Sequence, residues 1–245
     1  THMKWAGDSK ITPQNMDKLG IKESHAYDKR NYNATIGRMN PEQRKAWDDA
    51  YGKMNEEFMK RFPSMTDKEK MQWRYQRYMQ DYLGSIAAVD DGVGQVLDFL
   101  KKNNLDENTI VVYTSDQGFY LGEHGWFDKR FIFDESFKTP LLVKWPGVIK
   151  AGTKNSQMVQ NLDFAQTFLE AAGIKSPADM RGESLIPIFK GQGKNFRDAA
   201  YYHYYEYPSV HMVKRHYGIV TEKYKLVHFY YDIDEWELYD RVNDK

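Results

Sequence analysis

Apolar side chains between residues 66 and 100 recur at every third or fourth position, which is the spacing of one face of an α-helix. Thr66 and Glu69 form a capping-box pattern in front of this run, and Asn103 follows it. The pattern therefore predicts one helix of about nine turns. Its apolar positions are Tyr75, Tyr78, Met79, Tyr82, Ile86, Val89, Val93, Val96, Leu97 and Leu100.

Two strands and a second helix are predicted downstream. Residues 109–115 form a β-branched run that is typical of a buried parallel strand. Residues 141–145 predict the next strand, and residues 163–172 predict a helix that ends at Gly173. Because the long helix precedes the first strand, this order indicates an α/β unit with a right-handed crossover.

The pattern changes after Gly191, where short aromatic segments that are typical of strands follow one another. One of them alternates apolar and polar residues with period two, so we expect a small antiparallel sheet. Upstream, residues 1–65 are polar and irregular apart from a predicted helix near residues 41–61. We therefore divide the chain into segments 1–65, 66–190 and 191–245. The predicted C-terminal strands are Ala199–Tyr205, Tyr217–Val220, Tyr224–Phe229 and Trp236–Tyr239.

Composition narrows the classes of function. The formal net charge is zero with 29% charged residues, and no basic stripe with interleaved aromatics occurs, which argues against a nucleic-acid-binding protein. No apolar run is long enough to span a membrane. The absence of cysteine fits the cytosol, or a bacterial periplasmic protein without disulfides. The 15% aromatic content suits both a protein core and surfaces that stack on sugars.

Asp116 and Gln117 lie side by side where the strand at residues 109–115 ends. In open α/β sheets, ligands bind at the carboxyl ends of the strands. Carboxylate and amide oxygens suit Ca²⁺ or Mg²⁺, and Lys129 offers a cation that could reach an anion held by the metal. The same residues also fit a turn that closes the strand at Gly118, followed by a solvated loop.

A second cluster of candidate residues follows residue 200. Three histidines occur at positions 203, 211 and 216, but their spacings match no helical zinc motif. Strand alternation places His203 and Tyr205 on one face, where they could line a sugar subsite or simply form the edge of the core. In the loop that follows, His211 and Arg215 are candidates for substrate contact.

Five blocks of sequence between residues 114 and 240 carry a family pattern. The blocks are Thr-Ser-Asp-Gln-Gly-Phe-Tyr-Leu-Gly-Glu-His-Gly-Trp-Phe-Asp-Lys-Arg at 114–130, Glu-Ser-Phe-Lys-Thr-Pro-Leu-Leu-Val-Lys-Trp-Pro-Gly at 135–147, Asn-Leu-Asp-Phe-Ala-Gln-Thr-Phe-Leu-Glu-Ala-Ala-Gly-Ile at 161–174, Arg-Gly-Glu-Ser-Leu at 181–185 and Trp-Glu-Leu-Tyr-Asp at 236–240. They resemble the sulfatases of the alkaline-phosphatase-like superfamily, and within it the bacterial enzymes that act on sulfated glycans. The resemblance covers roughly residues 66–240 in the family order.

The resemblance implies an α/β fold, part of an alkaline-phosphatase-like sandwich with a mostly parallel sheet and a small C-terminal antiparallel sheet. Segment 1–65 then corresponds to an insertion, and segment 66–190 to the C-terminal part of the catalytic domain. The resemblance also implies that Asp116 and Gln117 ligate a divalent cation, Ca²⁺ first and Mg²⁺ second, and that Lys129 bonds the sulfate oxygens. The resemblance also makes His124, in the same loop, a candidate catalytic residue, with substrate contact and a hydrogen bond to the loop backbone both left open.

One part of the family pattern is missing. A sulfatase nucleophile is a formylglycine made within a Cys/Ser-X-Pro-Ser/Ala-Arg motif, and this chain contains no such motif. The paired N-terminal Asp residues of the metal site are absent too. The resemblance therefore implies the C-terminal half of a sulfuric ester hydrolase, inactive without its N-terminal half, that acts on a sulfated carbohydrate in the bacterial periplasm or outside the cell.

Two alternatives to a sulfatase stay open. A phosphodiester or phosphonate hydrolase of the same superfamily would share the Ser-Asp-X-Gly and lysine blocks. A non-catalytic carbohydrate-binding or interaction module would have lost the half that carries the nucleophile. The Trp-Glu-Leu-Tyr-Asp block that begins at Trp236 and the aromatic C-terminal sheet favour the sulfatase.

Overall fold

The computed structural model describes residues 36–193, 196–209, 211 and 213–244. The first 35 residues of the predicted segment 1–65 lie outside the described residues. The chain forms two compact units. The described part of the helical unit comprises residues 36–96 and 121–127, and that of the α/β unit comprises residues 97–120 and 128–244 with the gaps given above.

Two helices dominate the helical unit. Helix α1 (Pro41–Arg61) begins at Asn40, whose side chain accepts a hydrogen bond from the backbone N–H of Gln43 at 2.8 Å. Helix α2 (Asp67–Lys102) begins after Thr66, whose backbone N–H donates to the Glu69 carboxylate at 2.8 Å. Both predicted helices and the predicted capping box are confirmed.

Stacking between aromatic rings holds the two helices together. The ring of Phe58, which is 2% exposed, stacks on Trp73 with 3.8 Å between ring centroids. The guanidinium of Arg77 lies 3.8 Å from the ring centroid of Tyr51. Further along α2, the apolar face stays open to solvent, and Val89 is 54% exposed.

A two-stranded sheet forms the first part of the α/β unit. Strand β1 (Val111–Thr114) pairs with β4 (Leu141–Lys144), and Thr114 lies opposite Leu141. Both strands are confirmed, but the pair is antiparallel, so the expectation of a parallel direction for β1 is wrong for this pair. The β-branched run indicates a strand without specifying the direction of its neighbour.

Between β1 and β4 lie short elements that local patterns do not predict. Strands β2 (Tyr120–Leu121) and β3 (Phe127–Asp128) pair with each other, and helix α3 (Asp134–Phe137) follows. A short 3₁₀ turn at Glu123–Gly125 separates β2 from β3. Two further 3₁₀ turns precede β1, at Phe62–Ser64 and Asp106–Asn108.

Helix α4 (Asp163–Ala171) ends as the sequence predicts, because Gly173 adopts a φ of +72° and the N–H of Ile174 bonds back to the Leu169 carbonyl at 2.8 Å. A second short helix, α5 (Ile186–Phe189), follows. Apolar side chains of β1, β4, α4 and α5 surround one small cavity, so these elements share a core.

The predicted C-terminal sheet is confirmed as a four-stranded antiparallel meander in the order β5-β6-β7-β8. One face is buried, as shown by Val220, Val227 and Phe229, each at most 3% exposed. Alternate residues such as Tyr201 point to the other face. The strands are β5 (Ala199–Tyr204), β6 (His216–Thr221), β7 (Tyr224–Phe229) and β8 (Glu235–Asp240).

Candidate active site

Asp116 and Gln117 follow the carboxyl end of β1, as the sequence predicts. The Asp116 side chain is exposed, and its backbone carbonyl accepts a hydrogen bond from Asn161 Nδ2 at 3.0 Å. Ser115 Oγ donates to the Gln117 carbonyl at 2.8 Å. The backbone of this turn is therefore held by its neighbours, while the carboxylate of Asp116 stays accessible.

Gly118 is required at this strand end by a close approach of two backbone segments. Its N–H donates to the Ser136 carbonyl at 2.8 Å. A Cβ at position 118 would lie 2.1 Å from the Glu135 carbonyl oxygen, which no side chain can tolerate. The contact fixes the segment after Asp116 against helix α3.

Lys129 lies in a loop whose backbone is strained on both sides. Asp128 and Arg130 have φ values of +79° and +104°, a region that non-glycine residues rarely adopt. Such conformations cost roughly 1–3 kcal/mol each and persist where surrounding contacts determine them. Here the Arg130 N–H donates to Ser136 Oγ at 2.9 Å, and the Tyr202 hydroxyl donates to the Arg130 carbonyl at 2.6 Å.

The side chains on either side of Lys129 form an ionic cluster with His211. The Arg130 guanidinium pairs with the Asp128 carboxylate and also donates to His211 Nε2 at 2.7 Å. His211 Nδ1 lies 3.4 Å from the Asp128 carboxylate. The neutral tautomer with its proton on Nδ1 satisfies both contacts, so His211 is tied to the lysine loop.

One open cleft of about 1310 Å³ is lined by all three residues of the predicted metal and sulfate sites, which are Asp116, Gln117 and Lys129. Arg130 lines it too. The Lys129 ammonium has no hydrogen bond or ion pair to any residue that the structure describes. The cleft therefore combines an accessible carboxylate, an amide and an uncompensated cation, which suits a metal-bound anion.

The other predicted site residues do not line this cleft. His203 lies on the outer face of β5, where its Nε2 is 2.7 Å from the Tyr230 hydroxyl and its ring centroid is 3.8 Å from that of Tyr205. Burial lowers the pKa of His203. Arg215 donates to the Tyr205 carbonyl at 3.0 Å. These contacts fit the alternative that both residues stabilise the sheet, and their predicted substrate role stays untested.

His124 belongs to the helical unit. It is exposed, adopts a φ of +57°, and its ring centroid lies 6.2 Å from that of Trp126. Its predicted catalytic role stays a prediction.

A buried carboxylate, that of Asp163, binds two residues that line the cleft, Gln160 and Arg197. Asp163 is 0% exposed and accepts two hydrogen bonds from the Arg197 guanidinium, each of 2.7 Å. The backbone N–H groups of Gln160 and Glu183 donate to it at 2.7 Å and 3.0 Å. Burial alone would raise the pKa of Asp163, but Arg197 and these two N–H groups outweigh it and lower the pKa.

Sequence patterns miss two residues that shape the site. Asn161 and Tyr202 line the cleft and bond the backbone of Asp116 and Arg130, respectively. Burial raises the pKa of Tyr202 to about 12, so its phenol stays protonated and donates at neutral pH. An arginine in the sequence does not indicate a positive φ, so no local signal could have revealed the backbone conformation of Arg130.

Comparison with known families identifies the chain. The model of the family described as "Sulfatase" matches residues 18–174, and that of the family described as "N-sulphoglucosamine sulphohydrolase, C-terminal" matches residues 122–245. The chain belongs to the sulfatase family. Sulfatases use a divalent metal.

Individual relatives agree with this assignment. An N-acetylglucosamine-6-O-sulfatase from Bacteroides thetaiotaomicron is 51% identical over 84% of this chain. A protein solved in complex with its substrate D-glucosamine-2-N,6-O-disulfate has a TM-score of 0.85 and 46% identity over 97% of this chain. A phosphonate monoester hydrolase from Silicibacter pomeroyi, 24% identical with a TM-score of 0.63 over 74% of this chain and 38% of its own, shares the fold alone.

The sulfatase chain is shorter than these relatives. It spans 37% of the length of the Bacteroides thetaiotaomicron enzyme and 50% of the glucosamine-disulfate complex. These relatives confirm the predicted alkaline-phosphatase-like fold. No helix among the residues that the structure describes is long and apolar enough to cross a membrane.

Proposed function

We propose that the protein containing this chain is a sulfuric ester hydrolase that removes sulfate from a sulfated carbohydrate, with 6-O-sulfated glucosamine as the substrate unit. The observation that supports this most directly is the shared cleft of Asp116, Gln117 and Lys129 in a chain of the sulfatase family. The sugar unit follows the printed activities of the two relatives, which are an N-acetylglucosamine-6-O-sulfatase and a protein bound to D-glucosamine-2-N,6-O-disulfate.

Asp116 and Gln117 would hold the divalent cation, and we propose Ca²⁺ before Mg²⁺. Ca²⁺ takes about 6–8 oxygen ligands, so two side chains form only part of a site. Among the described residues, no group of three or more His, Cys, Asp or Glu side chains could hold a metal. The remaining ligands would come from the rest of the protein. When bound, the cation neutralises charge on the sulfate oxygens.

Lys129 would bind the sulfate. Its ammonium lines the cleft and is not paired with any acid in the described residues, so its charge is available to an anion. A fixed cation next to the sulfate stabilises charge that shifts onto the sulfate oxygens during transfer. Lys129 therefore binds the substrate and lowers the barrier.

The nucleophile would come from outside this chain, because no Cys/Ser-X-Pro-Ser/Ala-Arg sequence occurs in it. A formylglycine elsewhere in the protein would attack sulfur. We accordingly propose that the isolated chain releases no sulfate and that the N-terminal half is its obligatory partner. By analogy with the family, we also propose that the protein is periplasmic or secreted, which fractionation of the producing bacterium would test.

The test is sulfate release from glucosamine-6-sulfate by the complete protein, with a phosphate diester and a phosphonate monoester as parallel substrates. We expect turnover of the sulfate ester to exceed that of both phosphorus esters. Faster phosphonate hydrolysis would favour the related phosphonate monoester hydrolases instead. Binding of the sugar without turnover of any ester would favour a carbohydrate-binding module.

A further inference from the structure

The strained loop around Lys129 is fixed by residues that are distant in sequence. Asp128 and Arg130 both have positive φ, a region that few non-glycine residues adopt and that is least usual for the long side chain of Arg130. Without outside contacts, a loop with this backbone would relax to ordinary φ values, and the lysine between them would move. The contacts that prevent relaxation therefore determine where Lys129 lies.

Two hydrogen bonds hold the backbone of Arg130, one at its N–H and one at its carbonyl. Ser136 Oγ accepts from its N–H at 2.9 Å, and the Tyr202 hydroxyl donates to its carbonyl at 2.6 Å. We call this pair of contacts the Arg130 clamp. Ser136 is 6% exposed, so water competes little for this hydrogen bond.

The ring of Tyr202 is itself fixed by packing. It meets Phe137 edge-on at 5.4 Å between centroids and lies 5.6 Å from the ring of His216, which is 0% exposed. The next residue on the same face of the strand, Tyr204, directs its hydroxyl to the Glu206 carboxylate at 3.1 Å instead. Of these two neighbouring tyrosines, Tyr202 alone bonds the lysine loop.

The side chains of the loop have separate partners. The side chains of Asp128 and Arg130 form an ion pair, and both contact His211. The Lys129 ammonium, in contrast, is unpaired within the described chain and lines the cleft. Fixing the backbone of Arg130 therefore determines where the neighbouring lysine lies in the cleft.

We propose that Tyr202 and Ser136 are positioning residues that hold Lys129 in its reactive place through the Arg130 clamp. This inference rests on the proposed sulfatase function for its activity test, but not for its structural test. The clamp acts on the backbone, so it differs from a contact between Tyr202 and the sugar.

The first experiment is a double-mutant cycle on sulfate release by the complete protein. Tyr202→Phe keeps the ring and removes one hydrogen bond, so we expect kcat/KM to fall about 3- to 10-fold. In a Lys129→Ala background, the same substitution should change kcat/KM by less than about twofold, because the residue that it positions is gone. Ser136→Ala should behave in the same way.

Tyr204→Phe is the matched control, since it removes a phenol two residues away that does not bond the loop. Its effect on kcat/KM, whatever its size, should be the same with and without Lys129. If Tyr202→Phe has the same effect in both backgrounds, Tyr202 acts independently of Lys129 and the proposal is wrong. If the wild-type protein releases no sulfate, the proposed function fails and the structural test decides the inference.

The structural test is hydrogen exchange of the backbone amides of residues 128–131. Tyr202→Phe should speed exchange there several-fold, while Tyr204→Phe should leave it unchanged. Unchanged exchange in Tyr202→Phe would show that the hydroxyl does not hold the loop and would overturn the proposal. Thermal midpoints of the variants should be compared first, so that a variant that fails to fold is replaced by Ser136→Ala.

Discussion

The buried pair of Asp163 and Arg197 allows a stability prediction that does not depend on activity. Asp163→Asn keeps the shape of the side chain but removes its charge. The amide oxygen can accept from only part of the donor set, and the amide NH₂ would face N–H donors. The Arg197 side chain, 12% exposed, would lose its counter-charge.

The magnitude follows from the burial of the pair. Asp163 is fully buried and accepts two hydrogen bonds from Arg197 and two from backbone N–H groups. Removing one partner of a buried ion pair typically lowers the free energy of unfolding by about 3–5 kcal/mol. We expect a loss in that range, which is a large fraction of the stability of an ordinary domain.

The pair should also make stability depend on pH. The pKa of Asp163 is lower in the folded protein than the roughly 3.9 of an unfolded chain, so the unfolded state takes up its proton first. Its contribution is therefore present above about pH 5 and is lost as the pH falls through the lowered folded-state pKa. Asp163→Asn should reduce this acid sensitivity.

The assay is urea unfolding at pH 7 monitored by tryptophan fluorescence. The midpoint and the slope of the unfolding free energy against urea concentration are fitted together. Asp179→Asn is the control, because Asp179 is exposed and its substitution should change the unfolding free energy by less than about 0.5 kcal/mol. A loss of less than about 1 kcal/mol for Asp163→Asn, with an unchanged slope, would refute the reasoning about the buried pair.

Three further predictions concern the site and its support. Lys129→Ala in the complete protein should lower kcat/KM by about 10²–10³-fold with little change in thermal midpoint. Lys129→Arg should restore little of the lost kcat/KM. A near-normal kcat/KM in Lys129→Ala would show that Lys129 takes no part in catalysis. Gly118→Ala should lower the unfolding free energy by about 2 kcal/mol or more, since its Cβ would meet the Glu135 carbonyl oxygen at 2.1 Å. Gly92→Ala, which has open space around it, should be neutral or stabilising when both variants are compared in a melting experiment. Burial lowers the pKa of His216 to about 4, so its contribution to stability should be constant above about pH 6.5 and fall as the pH drops from there towards 4. An NMR titration that finds His216 protonated at pH 6 would contradict this.

Local sequence determined the elements and the candidate chemistry of this chain. Helix α2 follows from a long apolar period with a capping box, and the C-terminal meander follows from alternating aromatic segments, because both signals act over a few residues. The same is true of Asp116 and Gln117, which stand directly after a strand. Their roles, and that of Lys129, rest on the family resemblance and stay predictions.

Tertiary structure decided what joins these pieces. The antiparallel pairing of β1, the hydrogen bond from Tyr202 to the Arg130 carbonyl and the contact between Arg130 and His211 all connect residues far apart in the chain. Residue types carry no record of such partners, since a strand accepts neighbours of either direction and a strained φ is set by contacts outside the segment. The ordered loop around Lys129 therefore exists only in the folded chain.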